Sequence, residues 1–408
     1  MSIRERLYPS EGQKPLCVRH CADARFVYNL GLEQRSFWRR GMPLISVYDQ
    51  KRSLTEARRE TWLSDGSSVV RQQALFDLDQ AFKNWWKNPA HFSRPTWRKA
   101  GVHEGFAIRD LSVRRINRKW GEVLVPKCGW VRFRISRQWT DIAAGTSARV
   151  TLDRAGRWHV SFTAPPPAFC RRPTGAVVGL DLGVVTTATT SEGSHLRMPV
   201  LLSPGEARRK RRLQRKLARQ EKGSSRRART KHQIAALAAR EADRRKDWIA
   251  QTTTALVRDY DVISIEDLKV KNLVRPARGT TERPGRNVRQ KAAMNRSISA
   301  QAWALFLACL TDKAAATTSP VVVVVVNPAY TSQRCSACGH TAAENRESQA
   351  VFRCRACDYA ANADVNAASN ILAAGLAVTG RGGAPHGQPE TAVRSGPMKR
   401  QPPGLVAA

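Results

Sequence analysis

Four cysteines constrain the last third of this chain more tightly than any other feature. Cys335 and Cys338, then Cys354 and Cys357, form two C-x2-C knuckles separated by fifteen residues. Thiolates at that spacing converge on one tetrahedral zinc ion, and four of them leave no open position for chemistry. Residues 328–362 are therefore expected to form a zinc ribbon whose metal is structural. Its arginines, Arg334, Arg346, Arg353 and Arg355, make nucleic-acid contact conceivable, although the ribbon also reads simply as a loop closure. Asp364 follows seven residues after the last cysteine and opens the helix-like run ADVNAASNIL, where by itself it reads as a helix N-cap. The other five cysteines (Cys17, Cys21, Cys128, Cys170 and Cys309) are scattered. That is not a secreted disulfide framework, and it predicts a reducing, cytoplasmic setting. Cys17 and Cys21 flank His20 on one helix with no second pair nearby, so a packed-core role is expected for them.

The charge balance narrows the partner. The 408 residues carry 69 Lys+Arg against 33 Asp+Glu, a formal net charge of +36. An excess of that size predicts a large polyanion. A hydrophobic content of 42%, with 11 Trp and 11 Phe, is enough to build cores, which sets the chain apart from disordered basic proteins. The longest apolar run, Val321 to Val326, is six valines and reads as a buried strand, far below the ~18 residues of a membrane span. The start, MSIRERLYPSEGQ, has charges where a signal peptide needs an apolar stretch.

The texture of the chain changes along its length. Apolar residues recur at helical spacing through Ala24, Val27, Tyr28, Leu30 and Leu32, and again through Val69, Leu75, Leu78, Phe82 and Trp85. The aromatics Phe82, Trp85, Trp86, Phe92 and Trp97 are expected in the core rather than as a base-stacking platform. From about Gly105 to Phe162 come short alternating strands (EVLVP, WVRFRI, ARVTLD, RWHVSFTA) that suggest a small barrel or sandwich. Prolines 165–167 with Arg171-Arg172-Pro173 form a linker. From near Thr174 strands and helices alternate, and beyond about Ala374 the Gly/Pro/Ala-rich tail is expected to be disordered.

Three carboxylates are the candidate engine. Asp181 interrupts the apolar strand AVVGLDLGVV, where an unpaired carboxylate costs several kcal/mol unless a cation or donors compensate it. Glu266 ends a second apolar strand, DVISIE, and Asp364 follows the ribbon. Singly they are a strand acid, a strand-end surface acid and a cap. In this order, on strands that suit a parallel sheet with its site at the carboxyl ends, they can hold two Mg2+ or Mn2+ ions. That reads as a metal-dependent nuclease. Between the first two acids, Arg208 to Lys246 carries seventeen Lys/Arg and three acids, with Leu213, Leu217, Ile234 and Leu237 spaced for a helical hairpin around Gly223-Ser224-Ser225. A solvated helix face is the ordinary reading of a charge run. A one-signed excess instead predicts phosphate contacts, here from Arg208, Arg209, Lys210, Arg211, Arg212, Arg215 and Lys216. A second basic stretch, Lys269 to Lys291, looks like a mobile loop beside Glu266.

Several of these segments match a family. RLYPSEGQ with ARFVYNLGLEQR, GLDLG, ISIEDL, and NPAYTSQRCSACG followed by FRCRACD and ADVNAASNIL resemble TnpB, the OrfB protein of insertion sequences, over about residues 5 to 375. The resemblance implies a mixed α/β and β multidomain fold. A first wedge strand would occupy 1–10, a helical recognition domain 11–104 and a wedge β-barrel 105–173. An RNase H-like RuvC nuclease would span 174–374, with a basic helical insert at 205–256 and the zinc ribbon at 328–362, followed by a disordered tail at 375–408. The stretch before RLYP is short, so the first wedge strand is expected to be abbreviated.

The resemblance further implies an RNA-guided DNA endonuclease with Asp181, Glu266 and Asp364 as catalytic, Mg2+-binding triad. The four cysteines would hold zinc in a ribbon that helps load DNA. A guide RNA from the transposon end and target double-stranded DNA would be the partners, with a monomer acting on the nucleoid. A nuclease-dead RNA-guided repressor, a transposase and a compact CRISPR effector are the alternatives. Retention of all three acids speaks against the first. The absence of a His pair with a catalytic Tyr, or of a better acidic triad spacing, speaks against the second.

Overall fold

The alternation of Ile3, Glu5 and Leu7 with exposed neighbours drives the first element, strand β1 (Ser2–Tyr8), whose buried face is the period-2 face of a half-buried strand. The computed structural model describes residues 2–39, 41–165 and 169–381. They divide into two compact units, one of Met1–Pro167 with Val200–Arg244, the other of Ala168–Pro199 with Arg245–Ala408.

In the first unit, helices α1 (Gln13–Ser36), α2 (Val47–Glu60) and α3 (Ser68–Lys87) follow β1. Strands β2 (Gly105–Ile108), β3 (Val113–Arg115), β4 (Trp120–Val125) and β5 (Gly129–Arg134) come next. A short helix α4 (Trp139–Ala143) then leads to β6 (Ser147–Leu152) and β7 (Trp158–Thr163). The seven strands make one antiparallel sheet in the order β2-β6-β7-β1-β5-β4-β3. The first strand, β1, is seven residues long and pairs on both edges, with β7 and with β5. Its buried Glu5 accepts hydrogen bonds from the Ser136 amide (3.1 Å) and hydroxyl (2.9 Å).

The helices share a core with the sheet. Gly31 allows α1 to lie against α3, since a Cβ there would stand 2.9 Å from Leu75 Cδ2. Cys17, His20 and Cys21 are buried on α1, as a packed-core role requires. The aromatic group departs from expectation. Phe82 is buried and Trp85 packs partly against the core, but Trp86, Phe92 and Trp97 are exposed. They follow the last core-facing turn of α3 or lie beyond it, where no apolar face is left to receive them.

The same unit holds the basic hairpin. Helix α5 (Pro204–Arg219) starts with a capping box between Ser203 and Glu206. Five residues later helix α6 (Ser225–Asp259) begins and continues into the second unit.

The second unit is built on strands β8 (Val177–Asp181), β9 (Ala188–Thr190), β10 (His195–Leu196), β11 (Val262–Glu266) and β12 (Val322–Val326), in the order β10-β9-β8-β11-β12. Strands β8, β11 and β12 run parallel. Helices α7 (Val270–Leu273), α8 (Val288–Gln301) and α9 (Trp303–Ala315) connect β11 to β12. The stretch expected to be one mobile loop beside Glu266 therefore contains α7 and the start of α8. The valine run is an edge strand, not a fully buried one. Val324 and Val326 are buried while Val322 and Val325 face out.

The ribbon carries strands β13 (Val351–Arg353) and β14 (Ala360–Asn362) and runs into helix α10 (Ala363–Arg381), which covers β8 and β11. Glycines set that approach: a Cβ on Gly179 would stand 2.0 Å from the Ala368 carbonyl, and one on Gly375 1.9 Å from Ser264 Oγ. Helix α10 runs to Arg381, past the expected end of order near residue 374, and the rest of the tail lies outside the described residues. Among the described residues no helix is long and apolar enough to cross a membrane.

Candidate active site

Parallel pairing brings the first two acids together. Ile265 pairs with Leu180, so the next residue on each strand, Glu266 and Asp181, ends its strand beside the other. Asp364 arrives in the first turn of α10, the helix laid across those strands. It is not the cap of that helix. Asn362 Oδ1 accepts from the Asp364 amide (3.0 Å) and the Val365 amide (3.2 Å), satisfying the helix start and leaving the Asp364 carboxylate for other work.

Electrostatics shows how closely the three are coupled. Burial, then the charges of Glu266 and Asp364, push the Asp181 carboxyl up to about 7, against the opposing effect of Arg346. Burial also raises Glu266, which is 7% exposed, while a hydrogen bond from Thr331 works the other way. Arg346 Nη2 lies 3.4 Å from Asp364 Oδ1 and also donates to the Gln349 carbonyl at 3.1 Å. Arg346, Thr331 and Asn362 are site residues that the sequence reading missed. Thr331 and Arg346 lie outside the helices and strands, where no periodicity runs, and Asn362 ends β14, a strand of three residues that is too short to show one.

An all-oxygen donor set suits Mg2+ or Mn2+. A divalent cation would offset the burial and the like charges that raise the Asp181 carboxyl. Among the described residues, the three acids do not form a cage with all ligand oxygens within 4.8 Å of one another.

The raised carboxyl makes the metal-free protein pH-sensitive. A carboxyl pushed from its ordinary 3.8 to about 7 stabilises the fold fully below about 4, and that contribution is lost as pH rises through 7. Metal-free protein should therefore be less stable at pH 8 than at pH 5, by on the order of a few kcal/mol, and melt at a lower temperature there. Asp181→Asn should flatten this slope, and added Mg2+ should raise the melting temperature more at pH 8 than at pH 6. Thermal melts across that range check this, and an unchanged slope in Asp181→Asn assigns it elsewhere.

The four cysteine sulfurs all lie within 4.8 Å of one another. Cys335 Sγ is 3.8 Å from Cys357 Sγ, and Cys338 Sγ is 3.5 Å from Cys354 Sγ. A zinc tetrathiolate with Zn–S of about 2.3 Å has S···S edges near 3.8 Å. The knuckles themselves are tight turns. The Gly339 amide bonds the Cys335 carbonyl with Gly339 at φ +79°, and the Asp358 amide bonds the Cys354 carbonyl with Asp358 at φ +55°. The donor set and its spacing fit zinc. Of the ribbon arginines, Arg353 and Arg355 face Glu347 at 3.6 and 3.4 Å.

The basic hairpin presents a cleft of about 910 Å3 lined by Arg208, Arg211, Arg212, Arg215, Lys216, Arg219, Gln220 and Arg226. Five of the seven predicted phosphate contacts line it. Lys210 instead pairs with Glu241 (2.5 Å), and Arg209 is not among the lining residues. Leu213 and Leu237 are buried, and ion pairs of Lys210 with Glu241 and of Glu206 with Arg240 and Arg244 join the two helices.

Comparison with known proteins adds to this geometry. Residues 166–277 match a family described as "Probable transposase", 1–41 one described as "Helix-turn-helix domain", and 303–371 one described as "Cas12f1-like, TNB domain". The described part of 1–41 holds β1 and the long helix α1. The chain is 38% identical to "Putative RNA-guided DNA endonuclease InsQ" of Escherichia coli (strain K12), over 97% of this chain and 96% of that protein. It is 31% identical to "Putative RNA-guided DNA endonuclease" of Streptomyces pristinaespiralis, over 93% and 90% of the two chains. Its fold is similar to that of a protein solved in a Cas12f1-sgRNA-target DNA complex, with TM-score 0.50 and 12% identity over 88% of this chain and 81% of that one.

Proposed function

Because the chain belongs to the TnpB family, the OrfB proteins of insertion sequences, we propose that it is the RNA-guided DNA endonuclease of a transposable element, cutting by metal-dependent phosphodiester hydrolysis. Guide pairing supplies the sequence specificity, and the protein recognises duplex shape and a short flanking motif. What supports the chemistry is the coupling of Asp181, Glu266 and Asp364, each delivered by a different element, where burial and like charge call for divalent cations.

Asp181 and Glu266 at adjacent strand ends and Asp364 on α10 would hold two Mg2+ or Mn2+ ions, which would supply activation of the attacking water and stabilisation of the leaving oxygen. The buried wall behind these acids limits water and strengthens their electrostatics. Cys335, Cys338, Cys354 and Cys357 hold a structural zinc. In this reading 1–10 and 105–173 form the wedge, 11–104 the recognition domain, and 174–374 the RuvC-like nuclease with the basic insert 205–256. The decisive experiment sequences RNA that co-purifies with the protein, then assays DNA cleavage by that complex in Mg2+ and in chelator. Bound guide RNA without any cleavage would instead identify a guided DNA-binding repressor.

The hairpin's role is separable from catalysis. Replacing Arg208, Arg211, Arg212 and Arg215 with Gln should weaken nucleic-acid binding for every sequence. It should also flatten the plot of log affinity against log salt, by roughly 0.7–0.9 for each phosphate that is no longer neutralised. The readout is binding at several salt concentrations. An unaltered slope would make the hairpin a solvated helix face and move the polyanion elsewhere.

A further inference from the structure

We propose that Thr331 is a positioning residue for Glu266, and that Asn366 and Asn370 clasp the same segment so that the zinc ribbon and the acid site are set by one network. The proposal rests on reading the three acids as the cation site. Thr331 lies between β12 and the first knuckle and is 8% exposed. Its hydroxyl donates to Glu266 Oε1 at 2.6 Å, and it also lies 3.1 Å from the Pro328 carbonyl. A hydroxyl has one proton, and the shorter contact to a carboxylate is the charge-assisted one. One lone pair of Glu266 is thereby engaged, which restrains the rotation of its carboxylate. A carboxylate with no such partner would be free to rotate away from Asp181, whose charge repels it.

The segment that carries Thr331 is itself held. Asn370 Nδ2 donates to the Thr331 carbonyl (2.9 Å) and the Arg334 carbonyl (2.6 Å). Asn366 Nδ2 donates to the Arg334 carbonyl (2.8 Å), and its Oδ1 accepts from the Ser336 amide (2.9 Å). Both asparagines are buried, and they lie on the helix that presents Asp364. Cys335, a zinc ligand, sits inside the clasped stretch. Residues 331–336 are thus tied at once to Glu266 on β11, to the Asp364 helix and, through Cys335, to the cysteine cluster. Removal of a hydrogen-bonded neighbour of a metal ligand typically lowers metal affinity or activity by 10–100-fold.

Shape and hydrogen bonding can be separated by substitution. Thr331→Val keeps the volume and loses the hydroxyl, whereas Thr331→Ser keeps the hydroxyl and loses a methyl. If Thr331 only fills space, Ser is the worse variant; if it positions Glu266, Val is. The zinc-loaded full chain in complex with its co-purified RNA is assayed in two ways. One is the Mg2+ concentration giving half-maximal cleavage. The other is Mn2+ bound, counted by electron paramagnetic resonance beyond that bound by an Asp181→Ala complex.

Thr331→Val should raise the half-maximal Mg2+ by about 10–100-fold and reduce the excess Mn2+ correspondingly, with RNA binding unchanged and Ser near wild type. Equal Mg2+ requirement and Mn2+ binding in Val and wild type, or Ser as impaired as Val, overturns the proposal. If Val fails to fold, Thr331→Ala against Thr331→Ser gives the same comparison, since both lose the methyl and only one loses the hydroxyl. No excess Mn2+ in the wild type itself would overturn the cation-site reading beneath it, which is a different result.

Discussion

Asp181→Ala, Glu266→Ala and Asp364→Ala should each lower DNA cleavage by about 10³-fold or more, since loss of ~4 kcal/mol of metal-derived transition-state stabilisation is worth that factor. Guide-RNA binding should stay near wild type, because the cations proposed to contact phosphates line a cleft on α5 and the start of α6, in a different compact unit from these acids. The three substitutions differ in their effect on stability. Asp181→Ala removes a carboxyl that burial and two neighbouring charges destabilise in its ionised form, so the metal-free protein should tolerate it best at high pH. Glu266→Ala empties a buried position and leaves the Thr331 hydroxyl only the longer contact to the Pro328 carbonyl, so it should lower the melting point. Asp364→Ala leaves the Asn362 cap intact and releases Arg346, so its melting point should change least. Wild-type cleavage by any one variant excludes that acid from the site.

The three acids were proposed from their joint order and from the family resemblance, since singly they read as a strand acid, a strand-end surface acid and a helix cap. An acid inside AVVGLDLGVV or at the end of DVISIE contradicts an apolar strand, and the conflict itself marks function. The cysteines were legible because their ligand geometry is encoded in spacing alone. Thr331 was not, because its partner lies 65 residues away and NPAYTSQ has no pattern from which to infer the pair. Arg346 was missed for the same reason, its acid being 18 residues distant across the ribbon.

The same limit explains the fold errors. Six valines describe a strand well but do not say whether it lies at a sheet edge, which decides how much of it is buried. Helix α2 falls within the expected helical span 11–104 but was not singled out, since it buries only Val47, Gln50 and Leu54 among charged residues. Its Ser46–Asp49 capping box was the available signal. Charge counting found the hairpin but not which cations face outward, because Lys210 is diverted by Glu241, an acid on the opposing helix.

Loss of zinc should be the second large effect, and it should act on both folding and cutting. The ribbon's own apolar cluster consists of Cys335, Phe352, Cys354 and Ala363, so two of its four members are metal ligands. A cluster that small cannot hold a fold by burial, and zinc–thiolate binding, worth roughly 10–16 kcal/mol in small zinc domains, supplies most of what keeps the ribbon folded. The purified protein should contain about one zinc by elemental analysis. Cys354→Ser should remove most of it and expose residues 331–362 to protease. Cleavage should fall with it, because the unfolding ribbon takes Thr331 from Glu266 and the Arg334 carbonyl from Asn366 and Asn370. RNA binding should fall much less, since the arginine-lined cleft belongs to the other unit. The order of events distinguishes this from general unfolding. During slow zinc extraction by a chelator that leaves Mg2+ free, cleavage should decline in step with zinc content while the first unit stays protected from exchange. A metal-free preparation that is folded and still cuts DNA would refute the ribbon assignment and, with it, any bracing of Glu266 from that side.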